Sequence, residues 1–94
     1  MVLHISRAAY VGDYKIEVVF NDGRMGVADL AESLDGPVFE PLRDPAEFAR
    51  FSVDPDLNTV VWAGGADLAP EYMYFLAFKN ELELQPLFKR WGYV

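Results

Sequence analysis

Asn58-Thr59-Val60-Val61-Trp62-Ala63-Gly64-Gly65-Ala66-Asp67-Leu68-Ala69-Pro70-Glu71-Tyr72-Met73-Tyr74-Phe75-Leu76-Ala77-Phe78 is the stretch around which the rest of the chain is organised. Thr59 to Trp62 is β-branched and aromatic with no charge, the pattern of a buried strand. Gly64-Gly65 supplies a tight turn, and Asp67 is placed to cap a helix with Pro70 and Glu71 in its first turns, where a carboxylate suits the positive end of the helix dipole. From Tyr72 to Phe78 that helix has no polar face. A helix apolar all round needs cover on more than one side, from the remaining tail or from another subunit.

Upstream of this stretch, Leu3, Ile5 and Arg7 fall on one side of a first strand and Val2, His4, Ser6 and Ala8 on the other, an imperfect alternation. Tyr14 to Phe20 is cleaner: Tyr14, Ile16, Val18 and Phe20 share one face, Lys15 and Glu17 the opposite one, as in a half-buried antiparallel strand. Asn21-Asp22-Gly23 follows, its Asp-Gly pair able to supply the positive φ angles of a hairpin turn, and Arg24 to Asp29 returns as a third strand. Ala31 to Leu34 makes one helical turn, stopped by Asp35-Gly36-Pro37. Prolines at 37, 41 and 45 forbid a long helix in the connector, while Phe39 and Leu42 are spaced to reach one surface. Asp44 reads as an N-cap with Pro45 at the first helical position and Glu47 at the third, giving a short helix through Arg50 that buries Phe48.

Phe51 to Asp54 is a fourth strand, paired in a second hairpin with Thr59 to Trp62 through Asp54-Pro55-Asp56-Leu57-Asn58. After Phe78, the apolar positions Leu82, Leu84, Leu87, Phe88, Trp91 and Tyr93 sit in a segment rich in Lys and Glu, with a short helix over Gln85 to Trp91 ended by Gly92. The expected fold class is α+β. A small single domain carries an antiparallel sheet of about four to five strands in two hairpins, short helices and a C-terminal apolar helix. Residues 1–78 form the core unit and 79–94 a helical tail.

Ninety-four residues suit one domain, and a composition 52% hydrophobic and 15% aromatic argues against disorder. No apolar run is long enough to span a membrane, and Ser6 and Arg7 break the opening stretch before an export signal could form, so a cytoplasmic address is expected. The chain has no Cys, which removes disulfides, thiolate metal sites and thiol nucleophiles together. Fifteen acids against eight bases give a net charge of -7, which opposes non-specific attraction to nucleic acid or anionic lipid and favours a basic partner.

No constellation spells out a reaction. His4 is the single histidine, and with no Gly-x-Ser-x-Gly elbow and no Cys it reads as a strand residue with satisfied hydrogen bonds. Asp54/Asp56 and Glu81/Glu83 would need to converge on one point to work as acid and base or to hold a divalent ion, yet Asp54-Pro55-Asp56 is ordinary turn composition. Gly64-Gly65 lacks the Lys-Ser/Thr of a phosphate loop and the third glycine of a dinucleotide fingerprint, and Asp67 puts negative charge where a phosphate would sit. The aromatics Trp62, Tyr72, Tyr74, Phe75, Phe78 and Trp91 lack the basic groove of a base-stacking platform and read as core or subunit contact.

Three segments in order resemble the bacterial family called domain of unknown function 2442: Tyr14 to Phe20 with Asn21-Asp22-Gly23, then Gly36-Pro37-Val38-Phe39-Glu40-Pro41-Leu42-Arg43-Asp44-Pro45, then Asn58 to Trp62 leading to Gly65-Ala66-Asp67-Leu68. The resemblance spans about residues 2 to 78. It implies a small α+β fold, no established activity and no catalytic residue to carry over. It also implies that some relatives add a helix-turn-helix domain and that others stand beside a second small protein in a toxin-antitoxin-like arrangement. Nothing after Phe78 is long or basic enough for such a DNA-binding domain.

The functional expectation is a non-enzymatic protein-interaction module without cofactor or metal. It is expected to form a homodimer through Tyr72, Tyr74, Phe75, Phe78, Phe88 and Trp91, and to meet a basic protein partner as an acidic antitoxin-like companion. The alternative is a small hydrolase or a ligand- or metal-binding protein using Asp54, Asp56 or Asp67. Direct nucleic-acid binding is disfavoured and would need a basic patch from Arg43, Arg50, Lys89 and Arg90.

Overall fold

Ile16, Val18 and Phe20 point to one side of the second strand and are almost wholly buried, and this alternation sets the inner face of a three-stranded sheet. The computed structural model describes residues 2–94; Met1, counted in the domain expectation, lies outside the described residues. Five strands form, β1 (Ile5–Gly12), β2 (Lys15–Phe20), β3 (Met25–Asp29), β4 (Ser52–Asp54) and β5 (Thr59–Val61). They divide into an antiparallel sheet of order β1-β2-β3 and a separate β4-β5 hairpin. The helices are α1 (Pro45–Phe48), α2 (Pro70–Phe78) and α3 (Gln85–Trp91), with 3-10 turns at Glu40–Arg43 and Leu82–Leu84. This is the expected α+β class.

The first strand departs from its simple reading. Ile5 faces Phe20 but Arg7 faces Val19, so Ser6 is an extra residue, a bulge whose hydroxyl donates to the Val19 carbonyl at 3.0 Å. The bulge reverses the alternation: Ile5 is buried, and beyond it Ala8 and Tyr10 turn inward while Arg7 and Ala9 turn out. β1 and β2 are joined by the two-residue turn Asp13-Tyr14, both at positive φ (52° and 62°), a geometry that matches strand twist but strains a tyrosine. Packing holds it: the Tyr14 ring meets Phe48 edge-on at 5.3 Å and its hydroxyl donates to the Arg43 carbonyl. In the β2-β3 turn only Gly23 has positive φ (87°), so Asp-Gly works as a three-residue loop closed by glycine rather than with two left-handed residues.

Asp44 caps α1 as expected, its carboxylate accepting from the Ala46 N–H at 3.0 Å, though the helix ends at Phe48 instead of Arg50. Phe48, Leu42 and Trp62 are core, and the Trp62 indole N–H donates to the Phe48 carbonyl at 2.8 Å. Asp67 does not cap α2. It lies opposite Val61 in an isolated bridge, and the helix starts three residues later at Pro70, whose fixed φ and missing N–H make it a natural first residue.

α2 lies against β3, where Gly26 lets Phe78 approach closely. α3 lies on its other side: Phe88 is fully buried and meets Phe75 at 5.2 Å, and Trp91 meets Tyr74 at 6.0 Å. Burying Phe20, Phe48 and Phe88 contributes about 1.5–3 kcal/mol each.

Candidate interaction surface

Of the six aromatic residues expected to form a subunit interface, Tyr74, Phe75, Phe78, Phe88 and Trp91 form one cluster within one chain, and Tyr72 joins it through Tyr93, which stacks on Phe75. Tyr74, Phe78 and Phe88 are buried within the chain, whereas Tyr72, Phe75 and Trp91 are half-buried at the margin of the cluster. The cover for the all-apolar helix comes from the sheet on one side and the chain's own tail on the other. One polar chain crosses the cluster. The Tyr74 hydroxyl donates to Asp22 Oδ2 at 2.7 Å, and Arg24, beside Asp22, donates to Glu83 at 3.0 Å, tying the β2-β3 turn to α2 and the tail. Burial, then the bond to Asp22, pushes the Tyr74 phenol up to about 12.

The loop acids do not converge. Asp54 spends its carboxylate on the N–H groups of Asp56 and Leu57 at 2.8 and 3.1 Å, and Glu83 is taken by Arg24. Among the described residues no three His, Asp or Glu side chains stand together as metal ligands. The Gly65 N–H is consumed by the Trp62 carbonyl at 3.0 Å, so the glycine turn offers it to no anion. The backbone N–H of His4 donates to Asn21 Oδ1, and among the described residues the imidazole joins no ion pair. A groove of about 380 Å³ between Pro37, Val38 and Pro41 and the Trp62–Ala66 turn is rimmed by Glu47 and Arg50, which pair with each other at 3.4 Å. None of these places assembles an acid, a base and a nucleophile.

What the fold does display is the outer face of the three-stranded sheet. Pairing puts Arg7, Val19 and Met25 in one row across it and Ala9, Glu17 and Val27 in the next, with Lys15 opposite Asp29 beyond. Met25 and Val27 are 62% and 43% exposed, Val11, 52% exposed, sits at a second register shift of β1 without a partner on β2, and other exposed apolar side chains, such as Val38, Leu57 and Leu82, are scattered over turns. Among the described residues no helix covers this face.

One edge of it is open as well. The Phe20 N–H donates to the Arg24 carbonyl and the Leu30 N–H to the Tyr14 carbonyl, so by the antiparallel alternation Gly26 and Ala28 bond to β2 while Met25, Val27 and Asp29 turn their N–H and C=O groups away. Sequence reasoning found β3 but assigned it no faces. The signal was the hairpin register: with Phe20 opposite Arg24, Met25 and Val27 must lie beside Val19 and Glu17 on the solvent side.

The family described as Protein of unknown function (DUF2442) matches residues 5–79. The chain belongs to this family. No curated protein matches it. Among solved structures, the crystal structure of a "Putative DNA Binding Protein" from Nitrosomonas europaea is similar over all of this chain, with a TM-score of 0.75 and 16% identity. The family fold is thus shared at low identity. The match takes in 64% of the neighbour's length, so the neighbour has further chain outside it.

Proposed function

We propose that this family member is a non-enzymatic protein-interaction module that meets its partner with the outer face of the three-stranded sheet. The observation that carries the reading is the outer-face group of exposed Ala9, Met25 and Val27 with half-buried Val19, rimmed by Arg7 and Glu17, on a domain whose other large side chains are mostly packed. The charge of -7 suits a basic partner, such as an acidic antitoxin-like companion would meet. The Nitrosomonas europaea protein is named for DNA binding, but here Arg43 pairs with Asp35 and Arg50 with Glu47, which weakens the patch that nucleic acid would need.

The test is co-purification with the protein encoded beside it, using wild type and a Met25→Lys/Val27→Lys double variant. The wild type is expected to retain the partner and the double variant to lose it while keeping its melting temperature, because both side chains are exposed. Equal retention by both would remove the outer face from the interaction.

A further inference from the structure

Among the described residues the three-stranded sheet has two edges: β1 is interrupted by register shifts at Ser6 and Val11 and stands beside the β4-β5 hairpin, where the Ile5 N–H donates to the Asn58 carbonyl, whereas β3 is unbroken, with its outward backbone groups unpaired and a central run free of charge, Met25-Gly26-Val27-Ala28. Proteins ordinarily protect such edges with lysine, proline, inward charges or very short strands. The other hairpin follows that practice: β4 has three residues and runs into Asp54-Pro55, and β5 is bridged by Asp67. β3 has no guard except Asp29 at its end.

Its pattern is also self-complementary. If a second copy runs antiparallel along it with Val27 opposite Val27, every residue of β3 is paired and Met25 lies opposite Asp29 at both ends. The outward N–H and C=O groups of residues 25, 27 and 29 then meet the same groups of the other chain. In this register the two Asp29 carboxylates are four residues apart along the strand, roughly 13 Å, which exceeds the screening length of about 8 Å at physiological salt. The groove beneath the edge, of about 390 Å³, has Asp29 and Glu32 on the strand side and Lys79 on the α2 side, so each copy offers both signs of charge to the other. Half-buried Phe75 and Leu76 line it, apolar surface that a second copy would cover.

From this we infer that the occupant of the β3 edge is a second copy of this chain, joined strand to strand about a two-fold axis at Val27 into one six-stranded sheet. The dimer doubles the outer face into a continuous platform, and so rests on the interaction reading while naming a partner for its edge. It differs from the dimer read from sequence, which used α2 and the tail.

Sedimentation velocity at high micromolar concentration tests it, with three variants. The Val27 N–H points away from β2, so Val27→Pro removes an outward donor without breaking a bond inside the sheet, a position where edge strands accept proline. The wild type is expected to sediment as a dimer and Val27→Pro as a monomer with unchanged far-ultraviolet circular dichroism. The chain has no Cys, so single-cysteine variants report register. Directly opposed residues in a hydrogen-bonded pair are about 5.5 Å apart at Cα, within disulfide reach. Oxidised Val27→Cys is expected to run as a covalent dimer and Met25→Cys to remain uncrosslinked.

A wild type that stays monomeric overturns the pairing, as does a dimer that Val27→Pro leaves intact. Should proline unfold the sheet, the cysteine pair decides: cross-linking at 25 and not at 27 overturns the register and with it the two-fold at Val27. A monomeric wild type that still holds the neighbouring protein sinks the strand pairing and leaves the outer-face reading standing. A dimer whose double-lysine variant retains that protein does the reverse.

Discussion

A Cβ placed on Gly26 would lie 2.7 Å from one ring carbon of Phe78 and 3.3 Å from the Ala77 Cβ, and the Phe78 ring is itself held between Phe20 and Tyr74, so it cannot swing aside. Gly26→Ala is therefore expected to cost about 1–3 kcal/mol through overpacking, read as a lower melting temperature and partly restored by adding Phe78→Leu. Tyr74 gives a prediction in pH. Its folded pKa of about 12 stands above the ordinary 10.0, so the proton is held more tightly in the folded state. Stability from this group is fully present below pH 10 and is lost as pH rises through about 12. Tyr93, also raised by burial, acts with the same sign. Denaturant titrations should show the alkaline loss reduced in Tyr74→Phe, which at neutral pH costs about 0.5–1.5 kcal/mol for the bond to Asp22. An unchanged alkaline limb would remove Tyr74 as its source.

Between elements, the decisive contact is α3 on α2. Phe88 is wholly buried against Phe75 and Tyr74, so Phe88→Ala is expected to cost about 3–5 kcal/mol, with the melting temperature as readout. A loss near zero would mean that the tail docks loosely. That this helix needed cover was legible from its composition; that the cover was the chain's own was not, because periodicity records which side chains are apolar and not which surface meets them. The hairpins and the Asp44 cap were legible because each rests on local chemistry within a few residues. The Ser6 bulge was not, since an extra residue in a strand is visible only against its partner strand. Asp67 misled differently: an acid before an apolar run fits a cap, but here the turn closed by the Trp62 N–H on the Ala66 carbonyl folds it back beside Val61 in an extended bridge. The bare outer face was half legible, as Lys15 and Glu17 marked it polar while Met25 and Val27 waited on register.

At the scale of the molecule, a charge of -7 on 94 residues sets up self-repulsion that the four salt bridges among the described residues relieve locally, all with exposed or partly exposed partners worth little singly. Raising ionic strength from about 0.01 M to 0.15 M shortens the screening length from about 30 to 8 Å, so the melting temperature is expected to rise with salt. A fall would mean that the ion pairs outweigh the repulsion. The two tryptophans, finally, are divided between the two parts of the structure. Trp62 is 5% exposed with its indole N–H bound to the Phe48 carbonyl, while Trp91 sits half-buried on the tail helix. Each part thus carries its own intrinsic emitter. Trp91→Phe leaves a fluorophore that reports only the domain core, Trp62→Phe one that reports only tail docking, and the interval between their emission shifts on unfolding measures whether the molecule comes apart in one step or sheds its tail first.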